Sequence, residues 1–322
     1  MRIALAAAML AATCIPAAAQ DWPTRPMTMV IPFAAGGGTD IVGRIIAARL
    51  SEILKQQVVV ENVGGAGGMT GTARVAKAPP DGYQFVLGNV GTHAHNQLLH
   101  KSPLYNAATD FAAVGLIVDL PVVMVARKDL PPNNLREFIA YAKANQATMT
   151  FSSGGAGSSS HLACALLNAA IGVKVTHVPY RGGGPAMADL LAGRNDYQCS
   201  TVGTTAQQIA TGDLKALALL TRDRVPTLPK AATAHEQGLK DFTADFWIAL
   251  FLPRGTPAPI VRKLNAATIA AMDSPSVRER FRAVSALIAA PERRSPEYLQ
   301  TFVGREIEKY AGPIKAAGLA GG

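Results

Sequence analysis

Short apolar runs and longer stretches with a 3.6-residue apolar repeat alternate along almost the whole chain. The runs predict strands over residues 27–33, 57–62, 84–89, 114–118, 122–126, 148–152, 175–179, 197–201, 214–220 and 247–252. The repeats predict helices over 41–54, 69–76, 135–144, 159–171, 185–192, 204–211, 257–272, 275–283 and 296–317. This rhythm is that of an α/β protein with mostly parallel sheets and helices on both faces. The last predicted strand, Trp247-Ile-Ala-Leu-Phe-Leu-Pro253, is followed by helices only. Such a tail crosses back to complete the first domain, giving two α/β domains, two crossovers and a cleft. The expected division is 21–122 for the first part of domain 1, 123–246 for domain 2 and 247–322 for the returning segment.

In open sheets of this kind a ligand lies beyond the carboxyl ends of the strands, where loops and helix N-termini converge. Glycine-rich loops fall at such places in both halves of the chain. One is Gly36-Gly-Gly38, with Gly64-Gly-Ala-Gly-Gly68 nearby, and the other is Ser152-Ser-Gly-Gly-Ala-Gly-Ser-Ser-Ser160. Glycine lets the backbone approach a ligand without a Cβ in the way, and the first helical turn leaves N–H groups unpaired at the positive end of the dipole. A loop of this type, taken alone, suits phosphate as well as carboxylate.

Residues 1–19 carry one early cation, Arg2, an apolar run and then Pro16-Ala-Ala-Ala19, the layout of a cleaved secretory signal peptide and hence of a periplasmic protein. The run of about 13 residues is shorter than the roughly 20 of a membrane-spanning helix. Cys14 raises a lipoprotein alternative, but Thr13 precedes it where a small residue is expected. Lysine and arginine exceed the acids, 31 − 22 = +9, which favours anionic ligands only weakly because the basic residues are scattered. With aromatics at 6% and no basic cluster, the chain lacks the features of a nucleic-acid binder. Export would place Cys164, in a predicted helix, and Cys199, ending a predicted strand, where disulfides persist. The two are expected to pair, the alternative being two buried thiols.

A series of motifs then runs in order through the chain: Trp22-Pro-Thr-Arg-Pro26, Pro32-Phe-Ala-Ala-Gly-Gly-Gly-Thr-Asp40, Glu61-Asn-Val-Gly-Gly-Ala-Gly-Gly68, Pro80-Asp-Gly-Tyr83 and Gly91-Thr-His93 in the first half. Gly157-Ser-Ser-Ser-His-Leu162, Val178-Pro-Tyr-Arg-Gly182, Gly184-Pro-Ala186, Asp189-Leu-Leu-Ala-Gly193 and Leu252-Pro-Arg-Gly-Thr-Pro257 follow. In these the chain resembles the extracytoplasmic solute receptors of tripartite tricarboxylate transporters, also called Bug receptors. The resemblance implies a periplasmic binding protein of type II that closes on a small carboxylate, acts as a monomer with no cofactor, and docks on the membrane subunits of its transporter. Two departures stand out. Ala35 occupies a position where proline is common, and Asn195-Asp-Tyr-Gln-Cys199 replaces a more apolar strand.

Within that frame the sequence offers dipoles more than charges. Main-chain N–H groups after Phe33, at Ala34 and Gly37, with the Thr39 hydroxyl, are placed to cap a carboxylate, and Phe33 to form a pocket wall. A Cβ at Gly37 is expected to obstruct the ligand. Asp40 is expected to accept N–H bonds from the loop and so hold the glycines in position. Asn89 and Thr92 fall at the end of a strand, where Thr92 meets ligand or acts as a turn hydroxyl. Across the cleft Ser153, Gly157, Ser158, Ser159 and His161 surround a second helix start. Arg181 is the only cation expected to touch ligand, unless it lies solvated on the rim. Asp196 orients a donor or makes a structural hydrogen bond.

An exported hydrolase is the competing class. His93-Ala-His95 with His100 invites a metal reading, but no carboxylate cluster completes it. Gly157-Ser-Ser-Ser160 is not a nucleophile elbow, and Gly65-Ala-Gly-Gly-Met-Thr70 lacks the third glycine of a dinucleotide fingerprint. A receptor that reports its ligand to a signalling partner shares the same sequence features as one that serves a permease.

Overall fold

The structure, a computed structural model, describes residues 22–321. The leader assigned to 1–19 lies outside them.

Six strands make the first sheet in the order β11-β4-β10-β3-β1-β2: β1 (Met27–Ile31), β2 (Val58–Asn62), β3 (Gln84–Asn89), β4 (Phe111–Asp119), β10 (Trp247–Pro253) and β11 (Leu287–Ile288). Five make the second, in the order β7-β6-β8-β5-β9: β5 (Val122–Arg127), β6 (Thr150–Ser153), β7 (Thr176–Pro179), β8 (Tyr197–Thr201) and β9 (Leu214–Leu219). The helices are α1 (Gly38–Leu54), α2 (Met69–Ala76), α3 (Asn96–Leu99), α4 (Leu135–Asn145), α5 (Ser159–Ile171), α6 (Gly183–Leu191), α7 (Val202–Ala210), α8 (Ala258–Asp273), α9 (Pro275–Ala283) and α10 (Pro296–Ala316).

Alternate residues of each central strand enter opposite cores. In β10, Ile248, Leu250 and Leu252 meet α1 and α8 on one face, while Trp247, Ala249 and Phe251 meet α10 on the other. In β5, Val122, Met124 and Ala126 face one core of the second lobe and Val123 and Val125 the other. Both faces are covered by helices, so the strands read as unbroken apolar runs. On α1 the buried positions Val42, Ile45, Ile46, Leu50 and Leu54 follow the helical repeat, and each fully buried side chain of this size stabilises by about 1.5–3 kcal/mol.

Three expectations need correction. The sheets are mixed, not mostly parallel: β1 pairs β2 and β3, and β6 pairs β7 and β8, in parallel, but β10 and β5 run antiparallel to both of their neighbours. A strand that enters a sheet after crossing from the other lobe arrives from the opposite end. The tail holds more than helices after β10, because Leu287 and Ile288 pair with Asp119 and Val118. Residues 91–99, for which the pattern predicts neither strand nor helix, form a π turn (Gly91–His95) that continues into α3, and Thr92, His93, His95 and Asn96 are all buried there. A helical segment buried on every side shows no amphipathic period, which hid it from the pattern.

The chain passes between the sheets twice, from β4 to β5 and from β9 to β10, and the two passages lie side by side, with Leu120 N–H donating to Phe246 O at 2.7 Å. The four loops that follow the parallel strands β1, β3, β6 and β8 open into the space between the lobes.

His93 stacks on Phe251 at 3.7 Å and His95 meets the edge of Tyr310 at 4.5 Å. Burial pushes both imidazoles down to about 3. The unfolded chain therefore binds more protons than the fold between pH 6.5 and about 3, and stability should fall as pH drops through that window. We expect a lower urea midpoint at pH 5 than at pH 7.5 (about one unit or more on either side of the free imidazole value), and a smaller difference in His93→Phe. An unchanged difference would assign the acid sensitivity elsewhere.

The Cys164 and Cys199 sulfurs lie 2.08 Å apart, tying α5 to β8 across 35 residues of sequence. A cross-link closing a loop of that length adds roughly 3–4 kcal/mol in the chain-entropy picture. Alkylation of the unfolded, unreduced protein should leave both cysteines unmodified by peptide mass; two labelled peptides would show free thiols.

Candidate functional site

The cleft is built where β1 runs into α1. Pro32 to Gly37 turn the chain, and Gly37, at the N-cap, has no side chain to satisfy the first amides of the helix. Those N–H groups have no side-chain cap and can donate to an anion. The turn is held from behind by Asp40. Its Oδ2 accepts from Gly36 N–H at 3.1 Å and from Arg44 Nε at 3.0 Å, and its Oδ1 accepts from Asn62 Nδ2 at 2.9 Å. Asn62 Nδ2 also donates to Phe33 O at 3.0 Å. Burial raises the Asp40 pKa, but the bonds from Arg44, Asn62 and the Gly36 amide together outweigh it and hold the carboxyl below its ordinary value. Asp40 is thus an anion with its acceptors in use, facing its own loop.

The opposite wall starts at β6. The loop after it ends at Ser158, whose Oγ caps α5 by accepting from His161 N–H at 3.3 Å, and Gly154 N–H donates to Ser160 Oγ at 2.9 Å. Asn89, at the end of β3, joins the walls. Its Nδ2 donates to Thr39 Oγ1 at 3.1 Å, and Ser159 Oγ donates to its Oδ1 at 3.4 Å while accepting from Gly91 N–H at 3.1 Å.

Two more helix starts complete the enclosure. α6 begins at Gly183 behind an N-cap glycine, and α7 begins after Thr201, neither with a side-chain cap. The N-termini of α1, α5, α6 and α7 thus converge on one hollow, closed further by Phe33, Gln198, Ser200, Thr204 and Phe246. The free volume of this hollow is about 40 Å³. Among the described residues, Asp40 is the only ionisable side chain in this lining, which contains no lysine, arginine or histidine.

The lobes meet backbone to backbone. Ala34 N–H in the first donates to Arg181 O in the second at 2.9 Å. A Cβ on Gly182 would stand 2.6 Å from Ala34 N, and one on Gly184 only 2.1 Å from Ala35 O. A Cβ on Gly67 would lie 1.9 Å from Ala156 O. Only glycine permits this approach.

Of the residues singled out from sequence, Phe33, Gly37, Thr39, Asp40, Asn89, Ser158 and Ser159 line the hollow. Ala34 and Arg181 lie instead on its outer lip, where Arg181 offers its carbonyl and leaves its side chain in solvent. Thr92 is a turn hydroxyl, accepting from Asn89 N–H at 2.9 Å. Ser153 is engaged with His177 Nε2 at 2.6 Å, and His161 accepts from Gly157 N–H at 3.2 Å, both on the far side of the loop. Asp196 accepts from Thr150 N–H at 2.8 Å and Arg127 Nε at 3.0 Å, a structural role. Gly37 is not the tightest point, since a Cβ there would sit 3.4 Å from Gly183 N. Sequence reading missed Gln198, Ser200, Thr201, Thr204 and Gly183. The rule that placed the first two walls, a strand's carboxyl end followed by a helix start, also marks 197–204.

Two sheets joined by paired crossovers, with helix N-termini facing each other across the gap, define a periplasmic binding protein of type II. The chain belongs to the tripartite tricarboxylate transporter family of receptors, whose pattern matches residues 42–319. Its fold is that of the periplasmic binding protein BugD, with 41% identity, TM-score 0.90, and 94% of this chain and 100% of that one covered. MatC of Rhodopseudomonas palustris, solved with bound malate, is 39% identical, with TM-score 0.89 over 91% of this chain and 100% of that one. The R. palustris protein Rpa4515, solved with adipate, is 35% identical, with TM-score 0.88 over 93% and 99%. This is a family of periplasmic solute-binding receptors.

If the lobes close as described, Gly184→Ala should block closure while leaving the lobes folded, because alanine is favoured over glycine inside a helix by up to about 1 kcal/mol. Ligand affinity should fall roughly tenfold or more with the ligand-free thermal midpoint unchanged or raised, an energy of at least about 1.4 kcal/mol. Titration calorimetry and thermal melts check this; undiminished affinity would rule out the close approach.

Proposed function

We propose that this receptor captures a small carboxylate between its lobes and presents the closed complex to the membrane subunits of a tripartite tricarboxylate-type transporter. The convergence of four helix N-termini on a hollow with no cationic side chain carries this reading. Each terminus places about half a positive charge, and pre-aimed donors, at the ligand. Charge-assisted hydrogen bonds contribute about 1.5–3 kcal/mol each, so a handful reach micromolar affinity, about −8 kcal/mol, after the cost of association. The malate and adipate held by the two R. palustris proteins are ligands of the same chemical class.

Closure follows from geometry. The first lobe contributes α1 and Asn89, the second α5, α6 and α7, and only a ligand touching both gains more from the closed form than from the open one. The lining also speaks for binding over catalysis, since its hydroxyls at Ser158, Ser160, Ser200 and Thr204 pair with one another and no histidine stands among them to activate one.

Acids released from the purified protein by gentle unfolding and identified by mass should raise its thermal midpoint, by about 2.7 kcal/mol of added stability at a hundredfold excess over Kd. Cells lacking the receptor should lose uptake of the same acid. A shift with a nucleotide, sugar or amine, and with no acid, would overturn the carboxylate assignment.

A further inference from the structure

Among the described lining residues, Gln198 alone has a buried side-chain polar atom without a partner. Side chains alternate along β8: Tyr197 and Cys199 enter the core of the second lobe, while Gln198 and Ser200 turn to the cleft. Gln198 is fully buried, at 0% exposure. Ser152 Oγ donates to its Oε1 across 3.5 Å, and its Nε2 has no acceptor. Leaving a primary amide buried without a partner is unfavourable, so a fold keeps one only where something else supplies the acceptor. The surrounding lining does not. The hydroxyls of Ser200 and Thr204 are bonded to each other at 3.0 Å, and the starts of α6 and α7 present N–H donors.

We infer that Gln198 is a specificity-determining residue whose Nε2 donates to an oxygen of the ligand on the side facing the second lobe. This rests on the reading of the cleft as a carboxylate site and narrows it. The preferred ligand carries, besides the carboxylate taken by the helix termini, a second oxygen-bearing end, as in a dicarboxylate or a hydroxy or oxo acid. An acid with an alkyl or aryl tail would strand the amide.

Matched pairs of acids that differ only in the far group test it: succinate against butyrate, and adipate against hexanoate, with malate as the hydroxy acid. Wild-type protein should bind at least one oxygen-ended acid tenfold or more tighter than its methyl-ended partner. Gln198→Leu should lose about 10- to 100-fold on the oxygen-ended acid, little on the partner, and so collapse the ratio. Because the amide is unpaired in the free protein, the ligand-free melting midpoint of Gln198→Leu should be unchanged or higher, whereas a merely structural glutamine would lower it. Gln198→Glu should repel a dicarboxylate outright. A Gln198→Leu ratio equal to that of wild type, or a wild type that prefers the methyl-ended acids, overturns the inference while leaving the carboxylate reading intact. If no acid binds wild type, both fall.

Discussion

A main-chain amide of one lobe bonded to a main-chain carbonyl of the other, Ala34 to Arg181, is the contact on which the arrangement of the cleft depends. Two backbones reach that distance only if neither has a side chain in the gap, and Gly182 and Gly184 clear the approach on the facing loop. This approach, together with the bonds of Ser159 to Asn89 and Gly91, holds the start of α1 against those of α5, α6 and α7. With the lobes apart, α1 would face water and its unpaired amides would be solvated there at almost no cost. With the lobes together, the same amides look into the enclosed hollow, where electrostatic interactions are stronger than in water. Glycine in these loops therefore serves association between halves of the protein as much as access to the ligand.

The charge design follows. A cleft lined with arginine would bind anions more strongly but would repel itself when empty, opposing closure. Helix dipoles are spread over many peptide groups and amount to only about half a charge at each terminus, so the empty cleft tolerates them. The one full charge in the wall, Asp40, has the sign that would repel an anion, yet its oxygens are turned to Gly36, Arg44 and Asn62. It fixes the loop and helps neutralise the dipole of its own helix. Asn89 gives a neutral counterpart, one side chain bonded to Thr39 in the first lobe and Ser159 in the second.

Much of this was legible in the amino-acid sequence, for identifiable reasons. The central strands and long helices follow from apolar runs and repeats, and both glycine loops of the first two walls from their position after a strand. Strand direction was not legible, because β10 and β5 owe their antiparallel pairing to the crossovers and not to their composition. The segment 91–99 was missed because burial on all sides erases periodicity. At the site, Arg181 attracted attention as a charge near glycines, but the structure uses its carbonyl. Gln198 was passed over because a lone polar residue in a strand looks like a local defect until its neighbours in space are known.

The placement of β10 has a consequence for biosynthesis. The second lobe is one continuous stretch and can assemble once residues 122–246 have emerged. The first lobe cannot, since its sheet lacks a middle strand, and two faces lack their covering helices, until the last quarter of the polypeptide arrives. A chain interrupted before Trp247 would leave β3 and β4 with bare edges and the apolar face of α1 uncovered. Synthesis from the N-terminus thus delivers a half-built first lobe, and the sticky, unfinished half is the one that leads.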